Sequence, residues 1–166
     1  MAPELSSWRA VDSDLGVFVL GGDEHHVRRV LLPDELAGPL APGARSAVVD
    51  EAAAQLAAYL AGELREFEVP LRSTGTPFQE AVWELLRQIP YGETRTYGWV
   101  ADGVDRPGAP RAAGQALGRN PIPILRGCHR VVAAGGLGGY GGGEGLKARL
   151  LELEGAAWPV EALRSK

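Results

Sequence analysis

Cys128 is the one cysteine in 166 residues, and it adjoins His129 and lies between Arg126 and Arg130. A thiol reacts as its thiolate, and a histidine with cationic neighbours favours that form. The triplet Cys128-His129-Arg130 therefore reads as a candidate nucleophile beside a candidate base. On an extended strand, adjacent side chains point to opposite faces, so a water would have to carry the proton between the two. The same residues also fit a buried, inert thiol, the usual setting of an isolated cysteine. A single cysteine excludes an internal disulfide and a cysteine-rich zinc site.

Three other patterns suggest chemistry and are set aside. Gly136-Leu137-Gly138-Gly139-Tyr140-Gly141 matches G-x-G-x-x-G ahead of a helical stretch. A dinucleotide unit also needs a following strand and an acidic residue about twenty positions on, and too little sequence follows. This loop reads instead as a flexible lid. Lys147 is no P-loop lysine, because Leu146 separates it from Gly145 and no Ser or Thr follows. His25-His26 has no third ligand nearby in sequence, so no metal is expected.

The elements that must hold the triplet fall into two groups. Trp8–Val11 and Gly16–Leu20 read as strands around a turn at Asp12–Leu15, and Val27–Leu32 as a third strand. Ser46 can cap a helix over 47–61 with Val49, Ala53, Leu56 and Leu60 at helical spacing, ended by Gly62. Phe67–Leu71 is a possible further strand. After a linker at 72–76, Thr76, Pro77 and Gln79 form a capping box with proline at the first helical position. The apolar face of that helix is Phe78, Val82, Leu85, Leu86 and Ile89. Pro90-Tyr91-Gly92 breaks it. Thr94 can cap a short helix over 96–103, a turn follows at Asp105–Gly108, and a second helix spans about 109–118. Asn120-Pro121-Ile122-Pro123 forces extended chain. Leu125–Val132 then carries the triplet. Eight glycines in residues 135–145 make a mobile loop before a last helix over about 145–154. The expected class is α+β: residues 1–72 as a small antiparallel sheet with one helix, and 73–166 as a mainly helical domain with a helix-turn-helix.

The net charge of −4 hides an asymmetry. Residues 1–69 carry 5 basic and 12 acidic side chains, whereas 70–130 carry 8 arginines against 5 acidic groups. The middle third suits a polyanion and the first third does not. No apolar run is long enough to span a bilayer, and Met1–Trp8 lacks a signal-peptide pattern, so a cytoplasmic protein is expected, with no membrane partner.

Ordered motifs over 74–155 resemble the O6-alkylguanine-DNA alkyltransferases, also called methylated-DNA–protein-cysteine methyltransferases. They are Thr76-Pro77-Phe78-Gln79 with Val82-Trp83, Ile89-Pro90-Tyr91-Gly92-Glu93-Thr94 with Thr96-Tyr97-Gly98, and Arg111-Ala112-Ala113-Gly114. Asn120-Pro121-Ile122-Pro123-Ile124-Leu125 and Cys128-His129-Arg130-Val131-Val132 follow. Gly139-Tyr140-Gly141-Gly142 and Lys147 through Leu150-Leu151 to Glu154 complete the set.

The resemblance implies a ribonuclease H-like first domain and a helix-turn-helix that enters the minor groove of double-stranded DNA containing O6-alkylguanine. It implies that Arg111 fills the gap left by an extruded nucleotide and that Tyr97 helps rotate it and donates a proton to the leaving guanine. Ala112, Gly114, Arg119 and Arg130 would join Arg111 and Tyr97 at the DNA. Cys128 would attack the alkyl carbon, His129 would take the thiol proton through a water, and Glu154 would orient His129. Asn120 would tie the helix-turn-helix to the cysteine segment. Backbone carbonyls near Cys128 and Val131 would accept the guanine amine, with Pro123 at the pocket and Tyr140 and Gly141 as its lid. No cofactor and no metal are implied, and a monomer that reacts once per molecule is.

Two departures stand out. Gly127 replaces the family's usual proline before the cysteine, and Arg126 replaces an apolar residue. They keep a non-transferring sensor of DNA lesions as the alternative. A cysteine hydrolase built on Cys128 and His129 would leave the arginines without a use.

Overall fold

The computed structural model describes residues 6–36, 38, 40–41, 43–140 and 143–156. The chain forms two compact units. One holds the described residues up to Ser73 together with Pro121–Leu125; the other holds Thr74–Asn120 and the described residues from Arg126 onward.

In the first unit, β1 (Ser7–Ser13), β2 (Gly16–Gly22) and β3 (Val27–Leu31) form an antiparallel sheet in that order. Gly16, at φ 117, turns the chain between β1 and β2 where a side chain would be strained. Helix α1 (Ala47–Leu60) packs on β1 and β2. Ser46 caps it, accepting the Val49 N–H, and Val49, Ala52, Leu56 and Tyr59 are its buried stripe. The expected strand over Phe67–Leu71 is only a single parallel bridge, Leu71 to Val27. Pro70 lacks a donor, so pairing is confined to Val27 N–H to the Pro70 carbonyl and Arg72 N–H to the Val27 carbonyl. Segment Pro121–Leu125 joins this unit, with Val30 N–H on the Pro121 carbonyl and Ile122 and Ile124 buried.

In the second unit, α2 (Pro77–Leu85) starts with the full Thr76–Gln79 capping box and proline at its first turn. It tightens into a 3₁₀ turn at Leu86–Gln88. The two-residue strand β4 (Arg95–Thr96) pairs in parallel with β5 (Val131–Val132), which the sequence did not signal. This pairing moves the cap of the next helix from Thr94 to Thr96: α3 is Tyr97–Gly103, and Thr96 accepts the Trp99 N–H. Helix α4 (Pro110–Gly118) follows the turn after α3. The core joins Val82, Trp83, Leu85, Leu86 and Ile89 to Val100 and Ala101 of α3, to Ala113, Ala116 and Leu117 of α4, and to Cys128 and Val131. Helix α5 (Glu144–Leu153) buries Lys147, Leu150, Leu151 and Glu154, a stripe at i, i+3, i+4 and i+7. Among the described residues no helix is long and apolar enough to cross a membrane.

Candidate active site

Cys128 stands in a 3₁₀ turn, Cys128–Arg130, rather than the expected extended strand. The turn is fixed by Arg130 N–H on the Gly127 carbonyl at 3.0 Å and Cys128 N–H on the Arg126 carbonyl at 2.7 Å. With Gly127 at φ −73 and ψ 53, the second bond closes an inverse γ-turn centred on the glycine. Asn120 donates its amide to the same Arg126 carbonyl at 3.5 Å.

Cys128 is 8% exposed. Burial pushes it up from its ordinary value, against a hydrogen bond from Asn120 and the charges of Lys147 and Arg126. Cys128 therefore rests protonated at neutral pH.

His129 is fully buried, and its Nε2 lies 2.7 Å from Glu154 Oε2. Burial holds the imidazole below its ordinary value despite the adjacent carboxylate, so it rests neutral. A neutral ring satisfies a carboxylate only through Nε2–H, which leaves Nδ1 as the basic nitrogen. Glu154 closes α5 as its C-cap. Burial alone would raise its carboxyl, but hydrogen bonds from His129 and Arg130 and the charge of Arg130 outweigh that and hold it far below the usual carboxylate range. Arg130 Nε and Nη2 reach its two oxygens at 2.9 and 3.0 Å, and Gly92 N–H adds 3.1 Å. The site thus rests as thiol, neutral imidazole and carboxylate. A proton leaving the sulfur would meet a base whose charged form Glu154 stabilises.

Arg130 is corrected by this geometry. Its guanidinium is turned inward onto Glu154 and the Ile89 carbonyl, 2.9 Å from Nη1, and is not offered to a phosphate. Tyr97 begins α3, half-buried, with its hydroxyl taking the Gly139 N–H. Burial pushes its phenol up, against the hydrogen bond from Gly139. A Cβ at Gly138 would lie 2.5 Å from the Tyr97 oxygen, and Gly138 sits at φ 81, so only glycine lets the loop close on the phenol. Tyr140 meets the His129 ring edge-on, centroids 6.5 Å apart. Arg111 and Arg119 are exposed at the two ends of α4, with Ala112 and Gly114 half-buried between them. Pro123 belongs to the first unit, and Gly141 lies outside the described residues.

Sequence reasoning gave Lys147 no role. It is wholly buried, and Nζ donates to the Val131 carbonyl at 2.6 Å and the Gly139 carbonyl at 3.1 Å. One lone pair of the Val131 carbonyl, expected to accept guanine, is thereby occupied. The signal was available: Lys147 and Glu154 both fall on the apolar stripe of α5, where charges are buried only with partners.

Among the described residues no group of three His, Cys, Asp or Glu is placed to hold a metal ion. The family model of the 6-O-methylguanine DNA methyltransferase DNA-binding domain matches residues 77–156. A methylated-DNA–protein-cysteine methyltransferase of Mycobacterium tuberculosis is 46% identical over 161 residues, covering 93% of this chain and 95% of the relative. One from Methanosarcina acetivorans is 44% identical over 149 residues, covering 87% and 96%. The crystal structure of Mycobacterium tuberculosis OGT in complex with DNA superposes with a TM-score of 0.80 at 44% identity, covering 93% of this chain and 98% of that one.

Proposed function

The chain belongs to the methylated-DNA–protein-cysteine methyltransferase family, and we propose that it repairs O6-alkylguanine in duplex DNA by moving the alkyl group irreversibly onto Cys128. The carrying observation is the wholly buried 2.7 Å contact between His129 and Glu154 next to a buried thiol. In this reading His129 Nδ1 takes the thiol proton through a water. The sulfur attacks the alkyl carbon, an S–C bond forms as the C–O6 bond breaks, and the electron pair leaves with guanine. Tyr97 supplies a proton to the departing base and regains one from the protonated His129 or from solvent. Glu154 stabilises the imidazolium while it lasts. The thioether is stable, so each molecule acts once and needs no cofactor.

Helices α3 and α4 form a helix-turn-helix that enters the minor groove, with exposed Arg111 filling the place of the flipped nucleotide and Arg119 near the backbone. Ala112 and Gly114 let α4 approach closely. Asn120 couples α4 to the cysteine turn. Tyr140 covers the base, and Val131 lines its pocket. The sheet and helix of the first unit, with Pro121–Leu125, make a ribonuclease H-like domain. The protein works as a cytoplasmic monomer.

The test is incubation with a duplex carrying O6-methylguanine, followed by intact mass and peptide mapping. One methyl on Cys128, absent in Cys128→Ser, is the expected result. No mass change with lesion binding retained would refute transfer and leave a lesion sensor.

A further inference from the structure

Gly127 holds a backbone shape that glycine adopts readily but does not enforce. Its φ of −73 lies in the range a proline ring imposes, yet glycine has the most backbone freedom to lose on folding. The 2.7 Å bond closing the turn belongs to the main chain of Arg126 and Cys128, so residues outside position 127 must keep it closed. Two arginine side chains are placed to do so. The Arg130 side chain lies against Gly127: its Cδ, Nη1 and Cζ are 3.1, 3.2 and 3.3 Å from where a Cβ would stand. That side chain is itself pinned to Glu154 and the Ile89 carbonyl.

Arg126 is the other. Its guanidinium carbon lies over the Trp83 ring, 5.3 Å from the centroid. Trp83 is 2% exposed and fastened by Nε1–H to the Ala116 carbonyl of α4 at 2.8 Å. Arg126 Nη1 is buried, with no hydrogen-bond partner among the described residues. A buried donor left unmade is costly, and an arginine swung into water would avoid that cost. The Trp83 ring face, with the charges of Glu80 and Glu84, therefore holds the side chain inward.

We propose that Arg126 is a positioning residue for Cys128: its guanidinium, gripped by Trp83, keeps the glycine-centred turn in the shape a proline ring would otherwise enforce. This rests on the reading of Cys128 as the alkyl acceptor. Its consequence is specific: Arg126 and Gly127 are coupled, and restoring the ring at 127 makes the grip at 126 dispensable.

The test compares Arg126→Ala, Arg126→Lys, Gly127→Pro and the double variant Arg126→Ala/Gly127→Pro. Methyl transfer is measured in single turnover at saturating O6-methylguanine duplex, and amide hydrogen exchange is followed across 126–132. Arg126→Ala slows transfer about tenfold, the loss expected from one ring–cation grip and a loosened nucleophile, and quickens exchange at the Cys128 amide. Arg126→Lys, which keeps a cation on the ring, recovers part of both. The double variant recovers most of both, although Gly127→Pro alone changes little. If the ring is not tolerated beside Arg130, Arg126→Ala and Arg126→Lys decide the proposal by rate and amide exchange without it.

A double variant as slow and as open as Arg126→Ala overturns the proposal. So does Arg126→Ala with wild-type rate and exchange. Unchanged exchange, with the rate loss tracking a shifted pH profile of Cys128 alkylation by iodoacetamide, also overturns it, since Arg126 would then act only through its charge. A wild-type protein that accepts no methyl refutes the transfer reading instead, and hydrogen exchange in the same four variants still decides the positioning role.

Discussion

Glu154→Gln removes one charge and almost no volume, yet it strikes the best-connected side chain in the site. The carboxylate receives His129 Nε2 at 2.7 Å, Arg130 Nε and Nη2 at 2.9 and 3.0 Å, and Gly92 N–H at 3.1 Å. A glutamine has one acceptor oxygen and one NH₂ group. Whichever way the amide is turned, its NH₂ faces N–H donors, from His129 and Arg130 on one side or Arg130 and Gly92 on the other. Arg130 also loses the anion that compensates its partly buried charge. Removing one member of a buried pair costs ~3–5 kcal/mol. For a chain of this length each kcal/mol moves Tm by about 2–4 °C, so the variant should melt roughly 6–20 °C lower at pH 7.

The loss depends on pH in a known direction. Because the folded-state carboxyl is held below its ordinary value of 4.5, its stabilisation is complete above that pH and fades as pH falls further. The gap between wild type and variant should narrow on acidification below pH 4.5. Transfer, measured well below the lowered Tm, should slow about a hundredfold or more, the usual weight of a general base and its orienting partner. Melting curves across pH 3–8 and single-turnover rates at low temperature check both halves. An unchanged Tm would refute the structural account of Glu154. A normal rate in a folded variant would refute its part in the proton path.

Lys147→Met removes a cation that favours the Cys128 thiolate, so alkylation of the thiol by iodoacetamide should shift to higher pH than in wild type; a lower or unchanged profile refutes this role for Lys147. Gly138→Ala places a methyl 2.5 Å from the Tyr97 oxygen at a φ of 81, and should cost about 1–2 kcal/mol in strain and slow transfer. Normal melting and transfer would show that the loop does not close on Tyr97. Since burial holds His129 below 6.5, the acid limb of the transfer rate should fall below pH 6.5; a midpoint above it refutes a neutral resting base.

The capping box at Thr76–Gln79, the cap at Ser46 and the hairpin before it could be read from sequence because each is written in neighbouring residues. The Cys128-His129 pair was legible for the same reason. What could not be read depends on distant segments. Thr94 and Thr96 are equally good caps in isolation, and the pairing of Arg95–Thr96 with Val131–Val132 decides between them. Phe67–Leu71 has strand character, but Pro70 restricts its contact with β3 to one bridge. The resemblance put Arg130 at the DNA, and nothing nearby in sequence competes for it, whereas Glu154, 24 positions on, does. Glu154 itself came from the resemblance; the helical stripe that buries it also buries Lys147, and reading that stripe for charge would have found both.

The state in which Cys128 waits has a consequence for a protein that acts once. A cysteine kept permanently ionised would react with any oxidant or soft electrophile that reached it, and every such accident would remove a molecule from service. Here burial outweighs the cations around the sulfur and leaves a protonated, quiet thiol. The imidazole of His129, the base proposed for it, is likewise neutral and buried beside Glu154. Readiness is thus separated from reactivity, and the reagent keeps its shelf life until a substrate fits the pocket.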